Sequence, residues 1–117
     1  LTRGYRLKAQ YVIHTVGPIW QGGDHGEAAA LAACYRSCLE LARAHHIDSV
    51  DFPSISTGVY GYPMAQAASV ALKAIMDDLR TYDHPRRVRM VCHTETAASI
   101  YRQIYNLWYA ETKEDRL

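Results

Sequence analysis

The segment Pro53-Ser54-Ile55-Ser56-Thr57-Gly58-Val59-Tyr60-Gly61-Tyr62-Pro63 gathers hydroxyls, glycines and aromatic rings in one short stretch. Gly58 and Gly61 let the backbone approach a ligand closely, because no Cβ stands in the way. Ser56 and Thr57 add hydroxyls, and Tyr60 supplies a flat ring beside them. An apolar run, Ser49-Val50-Asp51-Phe52, enters the segment, and an alanine-rich helical pattern over residues 65–79 leaves it. A strand that runs through small residues into a helix builds an anion site, since the first helical amides lack intrahelical partners and the dipole end is positive. The residue types therefore suggest a phosphate cradle with an aromatic wall; from the residues alone, an ordinary strand–helix connection fits equally well. The segment is not a P-loop, because the lysine-bearing pattern is absent. It is not a nucleophile elbow either, because no Gly-x-Ser-x-Gly occurs.

Other chemistry-bearing residues read more plainly. Cys34 and Cys38 stand at i and i+4 on one helical face, a spacing that metal ligands also use. His45 and His46 lie beyond that helix and no second ligand pair follows, so core packing is the expectation for both thiols. His14 sits among apolar neighbours and reads as a core histidine rather than a base. Cys92 and His93 are adjacent in an extended run and point to opposite faces, which speaks against a thiol–imidazole dyad. Arg86, Arg87 and Arg89 read as solvated charges. Trp20, beside a glycine loop, is either a pocket-rim aromatic or a packed loop anchor.

The elements that must position these residues alternate. Tyr11-Val12-Ile13-His14-Thr15-Val16 is rich in β-branched residues and stops at Gly17-Pro18, which predicts a buried strand. Residues 22–26 form a loop. Leu31, Cys34, Tyr35, Cys38, Leu39 and Leu41 recur at helical spacing, predicting a helix over 27–44. Residues 50–52 form a short strand before the cradle. In the helix that follows, Val70, Ile75, Met76 and Leu79 contribute an apolar stripe. Residues 81–87 connect to a strand over 87–92 whose alternation protects one face, and a last helix runs over 95–109. Strands alternating with helices predict a three-layer α/β/α fold, with ligands beyond the carboxyl ends of the strands.

The 117 residues suffice for one domain. The formal charge of +1 argues against a broad nucleic-acid surface, and no apolar run reaches membrane-spanning length or forms a signal-peptide core. Three cysteines without framework spacing predict reduced thiols and a cytoplasmic setting.

At this point the residues resemble a known family. Residues 11–18, YVIHTVGP, followed by residues 52–63, FPSISTGVYGYP, closely resemble the macro domain, in particular the branch of O-acetyl-ADP-ribose deacetylases and mono-ADP-ribosyl hydrolases. The helical stretch 34–42 and the strand ending Val91-Cys92-His93 are similar as well. The resemblance implies a mixed sheet between helices and an ADP-ribose or ADP-ribosylated partner, with no cofactor and no metal. It implies that the amides of Ser56, Thr57, Gly58, Val59 and Tyr60, with Gly61, hold the diphosphate, and that the Tyr60 ring borders the distal ribose. His93 falls near where relatives often carry an aromatic residue against the adenine.

The family pattern also begins with a Gly-Asp-Ile-like strand, an Asn-Ala-Ala-Asn-like segment and a glycine-rich loop carrying an aspartate, which position the hydrolytic water. These have no counterpart in the sequence, so no catalytic residue is assigned. The resemblance implies a C-terminal part of the domain over 1–117, with a frayed tail over 111–117. It further implies a strand missing between residues 11–16 and 50–52, hence a swapped oligomer or a separate N-terminal piece to fill it. The chain alone is expected to bind weakly and to turn over little or nothing.

Overall fold

A computed structural model describes residues 2–3 and 11–109. The order is β1 (Thr2–Arg3), β2 (Tyr11–Val12), α1 (Glu27–Ala44), β3 (Ser49–Pro53), α2 (Met64–Thr81), β4 (Arg87–Val91) and α3 (Glu95–Trp108). The expected tail over 111–117 lies outside the described residues.

The helices follow from composition and spacing. In α1, Leu31, Tyr35, Cys38, Leu39 and Ala42 are buried and recur every three or four residues, which puts them on one stripe. In α2, Ala67, Ala68, Ala71 and Ala74 join Leu72, Ile75, Met76 and Leu79 in burial. Alanine favours the helix and presents little bulk, so α2 can pack against both α1 and α3. Arg43 of α1 donates to the buried Asp78 of α2 at 2.5 Å and lies over the ring of Tyr82, 3.7 Å from its centroid. Thr94 caps α3: its hydroxyl accepts the Ala97 amide.

β3 and β4 pair in parallel with Val50 opposite Val88 and Phe52 opposite Met90. Phe52 and Val88 turn into the core, where Phe52 meets Tyr35 edge-on. On the outer face Arg89 grips Asp51 with two hydrogen bonds, so Arg89 is an ion-pair partner and not merely a solvated charge. In-register pairing places Pro53 opposite Val91. The cradle and residues 92–93 therefore leave the sheet at the same end.

The expectation of a buried strand over 11–16 is corrected. Among the described residues only Tyr11 and Val12 of this run pair, with β1, and His14, Thr15 and Val16 are exposed. His14 is thus not a core histidine. On the other flank a slot of about 1220 Å³ lies between residues 11–17 and β3. Among the described residues β3 pairs with β4 alone, and β2 with β1 alone, so the strands form two small sheets rather than one. A second groove, about 570 Å³, opens between β4 and α3. Strand β4 ends at Val91; Cys92 packs partly buried against the core and His93 is exposed. Cys34 and Cys38 are buried free thiols, as their place on the apolar face requires, and burial pushes the Cys38 thiol up. No helix among the described residues is long and apolar enough to cross a membrane.

Candidate functional site

The loop from Ser54 to Pro63 leaves β3 and closes on itself before α2 begins. Gly61 donates its amide to the Gly58 carbonyl at 3.0 Å, and Tyr62 donates to the Ser56 carbonyl at 2.9 Å. These bonds need two unusual backbone angles, φ 67° at Ser56 and φ 73° at Gly61. Glycine takes that region freely, whereas at a serine it costs about 1 kcal/mol or more. Thr57 adds a hydroxyl bond to the Ser54 carbonyl at 2.9 Å. The amides of Gly61 and Tyr62 are thus committed to the turn. Among the described residues those of Ser56, Thr57, Gly58, Val59 and Tyr60 donate to no protein group. Backbone donors are obligatory hydrogen-bonding groups, so these five remain available to solvent or an anion. The loop itself, not the first turn of α2, carries the donors, because Tyr62 and Pro63 intervene before Met64.

The loop is held from below by two tyrosines that the sequence analysis did not single out for this role. Tyr35 of α1 donates its hydroxyl to the Pro53 carbonyl at 3.3 Å and accepts the Ile55 amide at 3.2 Å. It thereby bridges both sides of the strand–loop junction. Tyr101 of α3 shares a hydrogen bond of 2.9 Å with the Ser54 hydroxyl. Burial raises both phenols, that of Tyr35 well above the ordinary tyrosine range, so both stay neutral. A signal for them existed: a tyrosine on an apolar helical stripe must find a partner for its buried hydroxyl.

A third contact comes from the side. Trp20 donates its amide to the Tyr60 carbonyl at 2.9 Å and stacks, tilted, on Tyr62 with centroids 4.7 Å apart. Of the two readings open for Trp20, the loop anchor describes it, though the ring also borders the loop. Gly17 fits directly beneath the junction: a Cβ there would stand 2.2 Å from Ser56 Oγ and 2.5 Å from Ile55 Cγ2. Glu27, also missed in the sequence, opens α1 and accepts the amides of Gln21, Gly23 and His25 at 2.9, 2.9 and 2.6 Å. Burial opposes its ionisation, but the main-chain donors outweigh burial and hold its carboxyl at about 2.

The rim of the loop is open. Val59 is fully exposed at the tip, and the Tyr60 ring is 37% exposed beside it. The slot between residues 11–17 and β3 takes in Ile55, Ser56 and Tyr60 but not Thr57, Gly58 or Val59. It is therefore a gap in the sheet that meets the loop at its base. The Ser56 hydroxyl is buried at that base and has no partner among the described residues. The arrangement can cradle an anion with neutral donors. The loop itself, residues 56–61, contains no carboxylate, imidazole or amine.

The sequence matches the family model of the Macro domain over residues 1–71. It is 51% identical over 104 residues to an O-acetyl-ADP-ribose deacetylase of Salmonella gallinarum, covering 89% of this chain and 58% of the relative. It is 48% identical over 103 residues to a macro domain-containing protein of Chlorobaculum tepidum, covering 88% and 60%. The fold superposes on the Oceanobacillus iheyensis macrodomain with ADP at a TM-score of 0.87 and 42% identity, covering 91% of this chain and 55% of that one. It also superposes on the Trypanosoma brucei macrodomain in complex with ADP-ribose at 0.80 and 36%, covering 87% and 42%. The chain thus spans little more than half the length of the curated relatives it matches.

Proposed function

This chain belongs to the macro domain family, and we propose that its loop over residues 56–61 is the diphosphate wall of an ADP-ribose site. The observation that carries the reading is the set of five loop amides with no protein acceptor, in a loop whose shape is fixed by its own turn and by Tyr35, Tyr101 and Trp20. Such donors match the acceptor-rich oxygens of a diphosphate and need no reorganisation on binding. The Tyr60 ring borders the distal ribose, and His93, which leaves the same end of the sheet, lies on the adenine side. Names among the relatives and ligands among the solved neighbours support ADP-ribose over a simple phosphate.

In the protein that carries this domain the reaction is hydrolysis of an ester or glycosidic bond at the distal ribose of an ADP-ribose derivative, with attack by a positioned water. The loop's part is to orient the diphosphate so that the ribose meets that water. No proton transfer is assigned to residues 56–61, whose donors are neutral, and this favours binding without turnover as the second reading. Release of acetate from O-acetyl-ADP-ribose by the 117-residue chain at the rate of an intact enzyme would overturn the assignment of a purely orienting role.

We further assign the slot beside β3 and the groove beside β4 to extended segments that complete one sheet, supplied by a separate piece of polypeptide or by a swapped copy. Unpaired ladder edges next to apolar side chains support this. Light scattering after size exclusion tests it: a compact, cooperatively melting monomer sinks the idea. Neither a nucleic acid nor a membrane is proposed as partner, and three free thiols favour the cytoplasm.

The test of the cradle is Gly58→Glu. Gly58 takes no positive φ, and a Cβ there meets nothing within 4 Å, so the substitution adds charge without strain. Titration calorimetry with ADP-ribose should show at least about a tenfold loss, the size of one unfavourable charge contact of ~1.4 kcal/mol. Equal affinity in both proteins removes the loop from the site.

A further inference from the structure

We propose that Glu27 is a positioning residue for the cradle and acts through Trp20: the carboxylate sets the loop ahead of α1, and that loop sets Tyr60 and Tyr62. The proposal rests on reading residues 56–61 as a wall of the ADP-ribose site.

Glu27 is one of two buried charged residues among those described, and the other, Asp78, has Arg43 as its partner. Glu27 pairs with no cation among the described residues. Its oxygens instead take three main-chain donors, and the hydrogen bonds of residues 21–25 all converge on it. Those residues have no regular structure and include Gly22 and Gly23 at φ 95° and 97°. Without the carboxylate, nothing polar specifies their path.

The loop's position then reaches the cradle by contact. Gly23 lies so close to the Trp20 ring that a Cβ would stand 3.0 Å from Cη2. Trp20 is fixed on its other side by the Tyr62 ring and by its amide bond to the Tyr60 carbonyl. Tyr60 carries one of the five free amides and the ring assigned to the distal ribose. Burial pushes the Tyr62 hydroxyl up, and the charge of Glu27 pushes it further. A carboxylate does this better than an amide, because both of its oxygens accept and Gln would turn N–H donors toward a main-chain N–H.

The experiment uses the 117-residue chain with Trp108→Phe, which leaves Trp20 as the only tryptophan. Glu27→Gln, Trp20→Leu and the double variant are compared by titration with ADP-ribose, and Glu27→Gln also by Trp20 emission without ligand. The expected result is a red-shifted Trp20 emission in Glu27→Gln and about a tenfold weaker affinity in each single variant, the measure of one lost positioning contact. The double variant should bind within about threefold of the weaker single, since two residues on one path do not add. Unchanged emission in Glu27→Gln overturns the link to Trp20. Shifted emission with unchanged affinity overturns the link to the cradle, and multiplying losses overturn the shared path. If Glu27→Gln does not fold, Trp20→Leu decides alone: retained affinity overturns the proposal. A wild type that binds no ADP-ribose sinks the underlying reading, whereas a binding wild type with an equally binding Glu27→Gln sinks this inference alone.

Discussion

Gly17→Ala is a small change that should damage both the fold and the proposed site. The added Cβ would stand 2.2 Å from Ser56 Oγ and 2.5 Å from Ile55 Cγ2, where ordinary contacts begin at 3.4 Å. The serine hydroxyl can rotate away. Ile55 cannot yield as easily, because a β-branched side chain has few χ1 choices and this one packs against the core. Relief therefore displaces the strand–loop junction by about 1 Å, at the usual overpacking cost of about 1–3 kcal/mol. For a domain of this size that lowers the melting temperature by at least about 4 °C. The displaced junction includes the Ile55 amide on Tyr35, so the five loop amides shift with it, and ADP-ribose affinity should fall by about tenfold or more. Thermal melting and titration calorimetry read the two effects. Gly58→Ala is the control: nothing lies within 4 Å of its Cβ, so stability should hold or rise slightly. A Gly17→Ala protein that melts within about 2 °C of wild type and binds as tightly would refute the claim that this contact shapes the loop.

Other perturbations separate strong contacts from weak ones. Tyr35→Phe removes the acceptor of the Ile55 amide and the donor to the Pro53 carbonyl, and should cost about 1–2 kcal/mol in a urea denaturation, given the long geometry of both bonds; a loss near zero would mean water replaces the phenol. Arg43→Ala leaves Asp78 buried without its cation and should cost about 3–5 kcal/mol. Arg89→Ala breaks an exposed pair with Asp51 and should cost less than about 1 kcal/mol, shrinking in high salt. The reverse order of the two arginines would undo the burial argument. Acid should erode stability through Glu27. Its folded carboxyl sits at about 2 against an ordinary 4.5, so its contribution is complete above 4.5 and is lost as pH falls toward 2. Tyr62 faces it as a neutral phenol, and Asp24 and His25 in the same loop are exposed. Urea midpoints across that window should fall less steeply in Glu27→Gln than in wild type, and parallel slopes would count against the assignment.

What the sequence made legible was what local pattern controls. The helix read from residue 27 to about residue 44 is found there, because the apolar spacing is regular. The strands read at 50–52, from a short apolar run, and at 87–92, from alternation of charged and apolar residues, are found at 49–53 and 87–91, and the free loop amides sit in the segment that glycines and hydroxyls had marked. Residues 11–16 went astray for a non-local reason. Their β-branched content favours extension, but a strand is buried only when neighbours flank it on both edges and faces. Here one flank is the slot, and Val16 is 78% exposed. Glu27 was illegible because it acts through main-chain atoms that carry no side-chain signature; for Tyr35 and Tyr101 the sequence signalled that a buried hydroxyl needs a partner, but not that the partner lies 18, 20 or 47 residues away.

The supports of the loop also bear on what the slot does to it. Tyr35 and Tyr101 reach the loop from α1 and α3, Trp20 reaches it from the segment before α1, and the turn bonds are internal. None of these contacts crosses the slot. A loop held in this way keeps its amides arranged whether or not an extended segment lies beside β3, so the proposed diphosphate wall is preorganised by the described residues. Ser56 is the exception. It sits in a left-handed conformation with its hydroxyl buried at the slot's inner end and no partner among the described residues. A buried hydroxyl without a partner costs about 1–3 kcal/mol, and the backbone angle adds about another 1. Filling the slot with a segment that offers Ser56 a hydrogen bond would recover the first cost without moving the loop. Sheet completion should therefore raise stability more than it changes the geometry of the loop amides. Ser56→Ala separates the two effects: it should stabilise the 117-residue chain while leaving the loop amides in place, and a destabilised Ser56→Ala protein would contradict the accounting.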